Sequence, residues 1–317
     1  MKFRTEVEIP FSETKIDLNS KIFSIGSCFA TEIAGLLNDG QIQNFNNPFG
    51  TLFNPFSINK ALKSCHNSEY FTENNLIKFN EYFISLDHHS SFNTRFSHQT
   101  LDFINHKIQQ SNEFLKETNF VLITYGTSFI YEFLPKKKLV ANCHKIPGKY
   151  FEKRYLSHLE LCDSISESIS LIKDICPENV QILFTVSPVR HTKDGIVENQ
   201  ISKSKLINAL HEVISTEENC TYLPIYEIMM DDLRDYRFYK EDLIHPNSQA
   251  IQYIWEKFGN AYFSEETKTF ITENLKIKKA LEHKTDDLKN PKYLEFQQKL
   301  KEKIASQQGK VKHKIFN

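Results

Sequence analysis

The chain has 317 residues, a formal net charge of −1, and is 40% hydrophobic and 25% charged. This composition is ordinary for a globular protein, and the balanced charge provides no field that would steer the chain to nucleic acid or anionic lipid. The first residues lack the apolar run of a secretory signal, and no stretch reaches the roughly 18 apolar residues of a spanning helix. We therefore expect a cytoplasmic protein without an integral membrane segment.

The predicted elements of the first half surround a glycine-serine turn. Residues 21–25 form a short apolar strand that ends at Gly26, and residues 31–38 carry apolar side chains at helical spacing. The next apolar strand, residues 119–125, ends at Gly126. Between them, residues 46–58 are rich in proline, asparagine and phenylalanine, and we predict a loop there.

In the second half, apolar strands alternate with amphipathic helices. We predict helices at 157–175, 202–214 and 248–258, and strands at 180–186 and 221–225. This alternation favours an α/β fold with a mostly parallel sheet covered by helices on both faces. Ligands of such sheets bind beyond the carboxyl ends of the strands, where Ser27, Gly126 and Ser187 follow strands.

The C-terminal part has a different composition. Residues 276–317 contain 12 lysines and 5 acidic residues, with a short amphipathic helix predicted at 293–304. We therefore divide the chain into a catalytic domain, residues 1–275, and a basic, partly helical extension, residues 276–317. The extension is either solvated and loosely docked, or a basic arm that holds a partner.

The six cysteines show no metal-binding pattern. They are scattered, without a Cys-x-x-Cys pair, so we expect free thiols and neither a zinc site nor a disulfide framework. They lie at positions 28, 65, 143, 162, 176 and 220. Cys28 follows Ser27 into the predicted helix, and we expect it to pack inward as a small hydrophobe.

Three residues form the pattern of a serine nucleophile with its base. Ser27 lies on the turn before a helix, and Asp242 precedes His245 by three residues ahead of another helix. A serine hydroxyl needs a base, and the base needs a carboxylate that fixes its tautomer. As alternatives, Ser27 could be only a helix N-cap and His245 only a loop residue before Pro246.

Two further residues are candidate donors to an oxyanion, besides the N–H groups at Ser27. Gly50 lies in a long loop and could present its backbone N–H. Asn142 could present its side-chain amide, although a local Asx turn explains an asparagine there equally well. His88, Arg190 and His191 lie in polar loop clusters, and we predict that they line the substrate pocket.

Six segments resemble the GSCFA family, whose name is the pentapeptide at residues 26–30. That family is itself similar to the SGNH/GDSL hydrolases. The other similar segments are residues 47–55, 125–128, 140–147, 187–200 and 236–247. Any one of them would be a weak signal, but their number and order make the resemblance specific.

The resemblance implies a flavodoxin-like three-layer α/β/α fold with a mostly parallel central sheet and an ester-processing site without a cofactor. Ser27 matches the family nucleophile, Asp242 and His245 match the terminal D-x-x-H block, and Gly50 matches the glycine of the second block. The wider SGNH enzymes carry Gly-x-Asn in the third block, whereas this chain has Gly126-Thr127-Ser128. Either Ser128 or Asn142 replaces that donor, or the oxyanion hole is weaker.

We therefore expect a serine-dependent esterase or O-acyltransferase. Its substrate would be an ester-linked group, such as acetyl, on a saccharide or a similar small or polymeric molecule. The alternative is a catalytically weak protein that uses the same cleft to bind a glycan or a lipid precursor, because a fold does not fix a function.

Overall fold

The structure is a computed structural model that describes residues 4–282 and 291–316. Its strands are β1 Ile22–Gly26, β2 Asn44–Asn46, β3 Ile77–Phe79, β4 Tyr82–Ile84, β5 Phe120–Tyr125, β6 Phe129–Phe133, β7 Lys138–Val140, β8 Phe151–Tyr155, β9 Gln181–Val186 and β10 Cys220–Leu223. Its α-helices are α1 Cys28–Asp39, α2 Pro55–Asn67, α3 Ser97–Leu115, α4 His158–Ile175, α5 Ile196–Ile214, α6 Ile225–Glu227, α7 Ser248–Tyr262, α8 Glu265–Leu281 and α9 Pro291–Gln308.

Five parallel strands form the central sheet in the order β10-β9-β5-β1-β2. Numbered by their sequence within this sheet and read from the β2 edge, the order is 2-1-3-4-5, which is that of the flavodoxin-like folds. The strand order reverses between β1 and β5, where Gly26 pairs with Thr124. In this topology the ligand site lies at that switch point, beyond the carboxyl ends of the two strands.

Helices cover both faces of the sheet because successive strand residues point to opposite sides. Phe23 and Ile25 of β1 pack into the core shared with α2, α3, α4 and α5. Ile22 of the same strand packs into the core shared with α1, α7 and α8. The predicted three-layer α/β/α fold with a mostly parallel sheet is thus confirmed.

Two small antiparallel sheets extend the α/β layers. β6 lies between β7 and β8 in one, and β3 pairs with β4 in the other. They share a separate small core with buried Ile84, Leu86, Phe133, Val140 and Ile146. These short strands were not predicted from the sequence.

Two predicted boundaries need correction. The loop predicted at 46–58 ends early, because Pro55 opens helix α2 and the Asn54 side chain accepts a hydrogen bond from Ser57 N at 2.8 Å. Helix α5 begins six residues before the predicted start at 202. Its first turn exposes Ile196 and Val197, so the apolar periodicity there does not mark the buried face.

The C-terminal segment packs against the body of the protein. Helix α9 includes the predicted helix 293–304, while residues 283–290 lie outside the described part of the chain. Val311 and Ile315 are buried in the core on the α1 side of the sheet. The division at residue 275 remains a prediction. Among the described residues, no helix is long and apolar enough to cross a membrane.

Candidate active site

The turn between β1 and α1 presents Ser27 at the switch point of the sheet. Gly26 has φ of 143°, and a Cβ there would lie 2.1 Å from the carbonyl oxygen of Thr124, so only glycine fits. Ser27 is the N-cap of α1, where its Oγ accepts a hydrogen bond from Phe29 N at 3.3 Å. The residue is fully buried in this conformation. The Ser27 hydroxyl thus occupies the helix N-cap position that the alternative prediction describes.

Asp242 and His245, the predicted orienting carboxylate and base, are in direct contact. Oδ2 of Asp242 is 2.7 Å from Nδ1 of His245, and Oδ1 accepts from the backbone N–H groups of Ile244 and His245 at 2.8 and 3.0 Å. These bonds from His245 N, its ring and Ile244 N lower the pKa of the Asp242 carboxyl to about 2. The carboxylate is therefore charged at neutral pH and fixes the orientation of the ring.

Contacts with α1 and with the segment after β9 position the loop that carries this pair. Lys240 forms an ion pair with Glu32 of α1 at 3.1 Å. Arg190 donates from its backbone N–H to Ile244 O at 3.2 Å and from its guanidinium to Leu243 O at 2.9 Å. The loop thus lies at the same edge of the sheet as Ser27. Both residues are described, and no hydrogen bond joins the Ser27 hydroxyl to the His245 ring.

The two predicted backbone donors are occupied in this conformation. Ser27 N–H donates to Thr124 O at 2.9 Å, and Gly50 N–H donates to Asn47 O at 2.8 Å. Either group would have to leave its carbonyl to reach an oxyanion. The N–H of Cys28, at the first position of α1, donates to no other described residue, and it lies at the positive end of the helix dipole.

Ser128 and Asn142, proposed to replace the asparagine of the Gly-x-Asn segment, each form a hydrogen bond with another residue. Oδ1 of Asn142 accepts a hydrogen bond from His144 N at 2.8 Å, which is the Asx turn of the alternative prediction. Ser128 is buried, and both its N–H and its hydroxyl donate to Oγ of Ser202, at 2.8 and 3.2 Å. The Ser128 hydroxyl is thus engaged as a donor, whereas only the oxygen of the Asn142 amide is engaged.

His88 is buried at the wall of a small pocket of about 10 Å³, separate from the segment at Arg190. Its Nδ1 is 2.8 Å from Ser85 Oγ, and the rings of Phe49, Phe71 and Phe92 pack around it at 4.8–5.5 Å. Burial lowers the pKa of His88 to about 4. These contacts bury most of the ring, and a substrate-binding role for His88 stays a prediction.

Arg190 and His191 lie beside residues 240–247, the loop that carries Asp242 and His245. The guanidinium of Arg190 lies over the rings of Tyr236 and Tyr239, at 5.7 and 5.4 Å from their centroids. His191 packs edge-on against Phe53 at 5.6 Å, and its backbone N–H donates to Asn199 Oδ1 at 2.9 Å. Arg190 lines a surface cleft whose wall does not include His191, and substrate binding by either residue stays a prediction.

A surface cleft of about 250 Å³ opens next to Arg190. Tyrosines and apolar side chains form most of its wall, with a few polar groups between them. The wall includes Tyr226, Tyr236, Tyr239, Met229 and Leu233. Tyr239 also pairs with Pro246, the residue after His245. The cleft therefore borders the loop that carries His245.

Lys203, which lies below the site, was not predicted from the sequence. Its side chain is fully buried, and Nζ donates to Gly126 O and Ser187 O, both at 2.7 Å. It thereby ties together the segments that follow β5 and β9. Burial lowers the pKa of Lys203 to about 7. The available signal was its spacing, because Lys203 precedes buried Leu206 and Leu210 on one face of α5.

One surface group in the described part of the chain has the donor atoms of a metal site. His158 and Cys162 lie one turn apart on α4, and Glu212 of α5 is 2.8 Å from the His158 ring. His158 and Glu212 are exposed. Among the described residues, no hydrogen bond or ion pair links this group to the catalytic loop or to the turn at Ser27.

The GSCFA family model matches residues 21–258. The chain belongs to the GSCFA family. The match spans every segment from the Ser27 turn to the helix that follows His245. The comparison with curated proteins gives no match.

Two solved structures are similar to this GSCFA protein. One is a DUF4886 family protein from Bacteroides uniformis, with 11% identity and a TM-score of 0.38, covering 92% of this chain and 97% of that one. The other is a carbohydrate esterase family 3 protein from Talaromyces cellulolyticus, with 7% identity and a TM-score of 0.35, covering 80% of this chain and 99% of that one.

Proposed function

We propose that this GSCFA protein is a serine-dependent esterase or O-acyltransferase that uses Ser27, His245 and Asp242. The observation that carries the proposal is the Asp242–His245 pair, with its 2.7 Å contact and a carboxylate held by two further backbone N–H groups. The pair lies at the edge of the sheet where Ser27 begins a helix.

In the first half-reaction, Ser27 Oγ leaves its cap bond with Phe29 N and attacks the ester carbonyl. His245 accepts the hydroxyl proton through Nε2, and Asp242 stabilises the imidazolium that forms. The tetrahedral intermediate then expels the alcohol, which takes the proton from His245. The product of this half-reaction is an acyl group esterified to Ser27.

In the second half-reaction, water or an acceptor hydroxyl attacks the Ser27 ester. His245 removes the proton of the attacking oxygen and returns it to Ser27 Oγ as the acyl-enzyme breaks. Backbone N–H groups at the start of α1 suit the developing oxyanion, because they lie at the positive end of the helix dipole. Cys28 N–H is free for this role, whereas Ser27 and Gly50 would first open their bonds to Thr124 and Asn47.

The tyrosine-lined cleft supports a substrate that carries both apolar and hydroxyl surface. Tyrosine rings offer a flat apolar face and a polar tip, and Arg190 adds a donor at the end nearest the catalytic loop. An acylated saccharide, for example one carrying an acetyl ester, has this mixed character. We therefore propose a saccharide ester as the substrate class.

Steady-state hydrolysis of p-nitrophenyl acetate and of an acetylated monosaccharide tests this function. We expect turnover by the wild type, and in Ser27→Ala and His245→Ala a loss of at least about 10³-fold in kcat. His98→Ala, an exposed histidine on α3, is the matched control and should retain full activity. Equal rates in the wild type and Ser27→Ala would leave the binding-protein alternative as the better account.

A further inference from the structure

The proposed active site lacks a side-chain donor at the position where the wider SGNH enzymes have an asparagine. Gly126 begins this segment; the Ser128 hydroxyl donates to Ser202 Oγ, and the oxygen of the Asn142 amide accepts from His144 N. Preorganised donors aimed at the developing negative charge are among the largest contributions to acyl-transfer catalysis. An uncommitted donor close to Gly126 could make the same contribution.

His191 supplies an uncommitted polar atom at this place. Its Nε2 is buried and has no hydrogen-bond partner among the described residues. A Cβ on Gly126 would lie 3.3 Å from this Nε2 and 3.1 Å from the Phe53 ring, so the imidazole edge rests against the glycine backbone. A buried donor without a partner costs free energy, and in an active site a ligand commonly satisfies it.

The surroundings of His191 place it beside both catalytic elements. Gly126 lies two residues beyond Thr124, whose carbonyl oxygen binds Ser27 N–H. On its other side, His191 is close enough to His245 for the charge of His245 to affect its titration. The ring thus lies between the end of β5 and the catalytic loop.

The charge state of His191 suits a hydrogen-bond donor. Burial lowers the pKa of His191 to about 4; nearby Lys203, His245 and Lys153 act in the same direction, and Asp194 opposes them. The ring is therefore neutral near pH 7, with one nitrogen able to donate. A neutral donor stabilises an oxyanion without competing with His245 for its proton.

We propose that His191 Nε2–H donates to the carbonyl oxygen of the ester substrate and replaces the missing asparagine as the side-chain donor of the oxyanion hole. This inference rests on the proposed esterase function. Gly126 allows the imidazole to approach because it has no Cβ, and Phe53 closes the donor from water. The bond between His191 N–H and Asn199 holds the segment in place.

Two substitutions separate donation from shape. His191→Phe keeps a planar ring and removes the donor, so we expect kcat for p-nitrophenyl acetate to fall ~10²–10³-fold with KM changed by less than about threefold. His191→Gln restores an amide N–H at a similar reach and should recover most of that loss. Neither variant should lower Tm, because the removed atom has no partner to lose. His98→Phe is the matched control.

Three results would count against this role. If His191→Phe retains the wild-type kcat while Ser27→Ala is inactive, His191 is not a donor and the esterase function stands. If both His191 variants lose the same activity and also lose Tm, the residue is structural. If the wild type shows no turnover that depends on Ser27, the proposed function fails, and the inference fails with it.

Discussion

Among single residues, Asp242 has the bonding that most directly specifies a role. Its Oδ2 contacts His245 Nδ1, which favours the tautomer with the proton on Nδ1 and leaves Nε2 free to accept the Ser27 proton. Asp242→Asn would place an amide N–H against Nδ1 and favour the opposite tautomer. We expect kcat to fall ~10³–10⁴-fold, as occurs for this exchange in a Ser-His-Asp protease.

A similar aspartate elsewhere provides the control for this measurement. Asp17 also accepts a backbone N–H two residues on, from Asn19 at 2.9 Å, but it precedes β1 at the opposite end of the strand. Asp17→Asn should leave kcat unchanged. If Asp242→Asn stays within tenfold of the wild type while remaining folded, His245 does not depend on Asp242 for its tautomer.

Asn142 gives the second residue-level prediction. Its side chain closes an Asx turn with His144 N at 2.8 Å, and His144 and Lys145 then adopt positive φ values of 48° and 60°. Asn142→Ala should therefore lower the free energy of unfolding by about 1 kcal/mol and leave kcat unchanged. Thermal unfolding and steady-state kinetics on one preparation test this. A large loss of kcat at normal Tm would return Asn142 to the oxyanion hole.

At the scale of elements, Lys203 of α5 joins the ends of β5 and β9. Its pKa is about 7 in the folded protein, below the usual 10.5 of lysine. Between these values the unfolded chain binds more protons than the folded chain, so this residue makes the free energy of unfolding rise with pH. Below pH 7 both states are protonated, and the dependence disappears.

Lys203→Met should remove that contribution. From pH 7.5 to 9.5 the wild type should gain stability relative to Lys203→Met, with a slope that approaches ~1.4 kcal/mol per pH unit. Urea unfolding of both proteins at several pH values measures the difference. A difference that stays constant with pH would show that Lys203 keeps an ordinary lysine pKa in the fold.

The sequence predicted the central elements better than the short ones. β1, β5 and β9 are continuous apolar runs, so composition alone identifies them. β2 is the three-residue segment Asn-Phe-Asn, whose composition does not indicate a strand. It is a strand because it pairs with β1. Helix α3 buries Thr100, Ser111 and Asn112 beside its apolar residues, so part of its buried face is polar and apolar residues alone do not mark it.

In the candidate site, too, the sequence predicted local contacts better than contacts between distant segments. Asp242 and His245 are three residues apart, so one loop turn determines their contact, and the spacing predicts it. The partners of Ser128 and Lys203 depend on which segments the fold brings together. Spacing along the chain therefore predicted neither the Ser202 bonds of Ser128 nor the carbonyl partners of Lys203.

At the scale of the whole molecule, the C-terminal segment contributes to the core on the α1 side of the sheet. Ile315 is 4% exposed, and the neighbouring Phe316 N–H donates to the side chain of Gln41 at 2.8 Å. Ile315→Ala should lower the free energy of unfolding by ~2–5 kcal/mol, the range for a buried aliphatic truncation. Lys312→Ala, on an exposed neighbour, should change it by less than about 0.5 kcal/mol.

Urea unfolding of the two variants measures these values. If Ile315→Ala is as stable as the wild type, the segment is dispensable for folding, as expected of a loosely docked extension. A cooperative loss of stability would instead make residues 310–316 part of the unit that holds α1, the helix at whose first turn Ser27 lies.

The central claim is that Ser27 is a nucleophile, and covalent labelling tests it most directly. The folded wild type, incubated with a fluorophosphonate, should gain the mass of one adduct, and peptide mapping should assign it to Ser27. Ser27→Ala should gain none, and Cys28→Ala, which keeps the backbone N–H of that position, should label like the wild type. A wild type that remains unlabelled, or equal labelling of Ser27→Ala, would contradict the account.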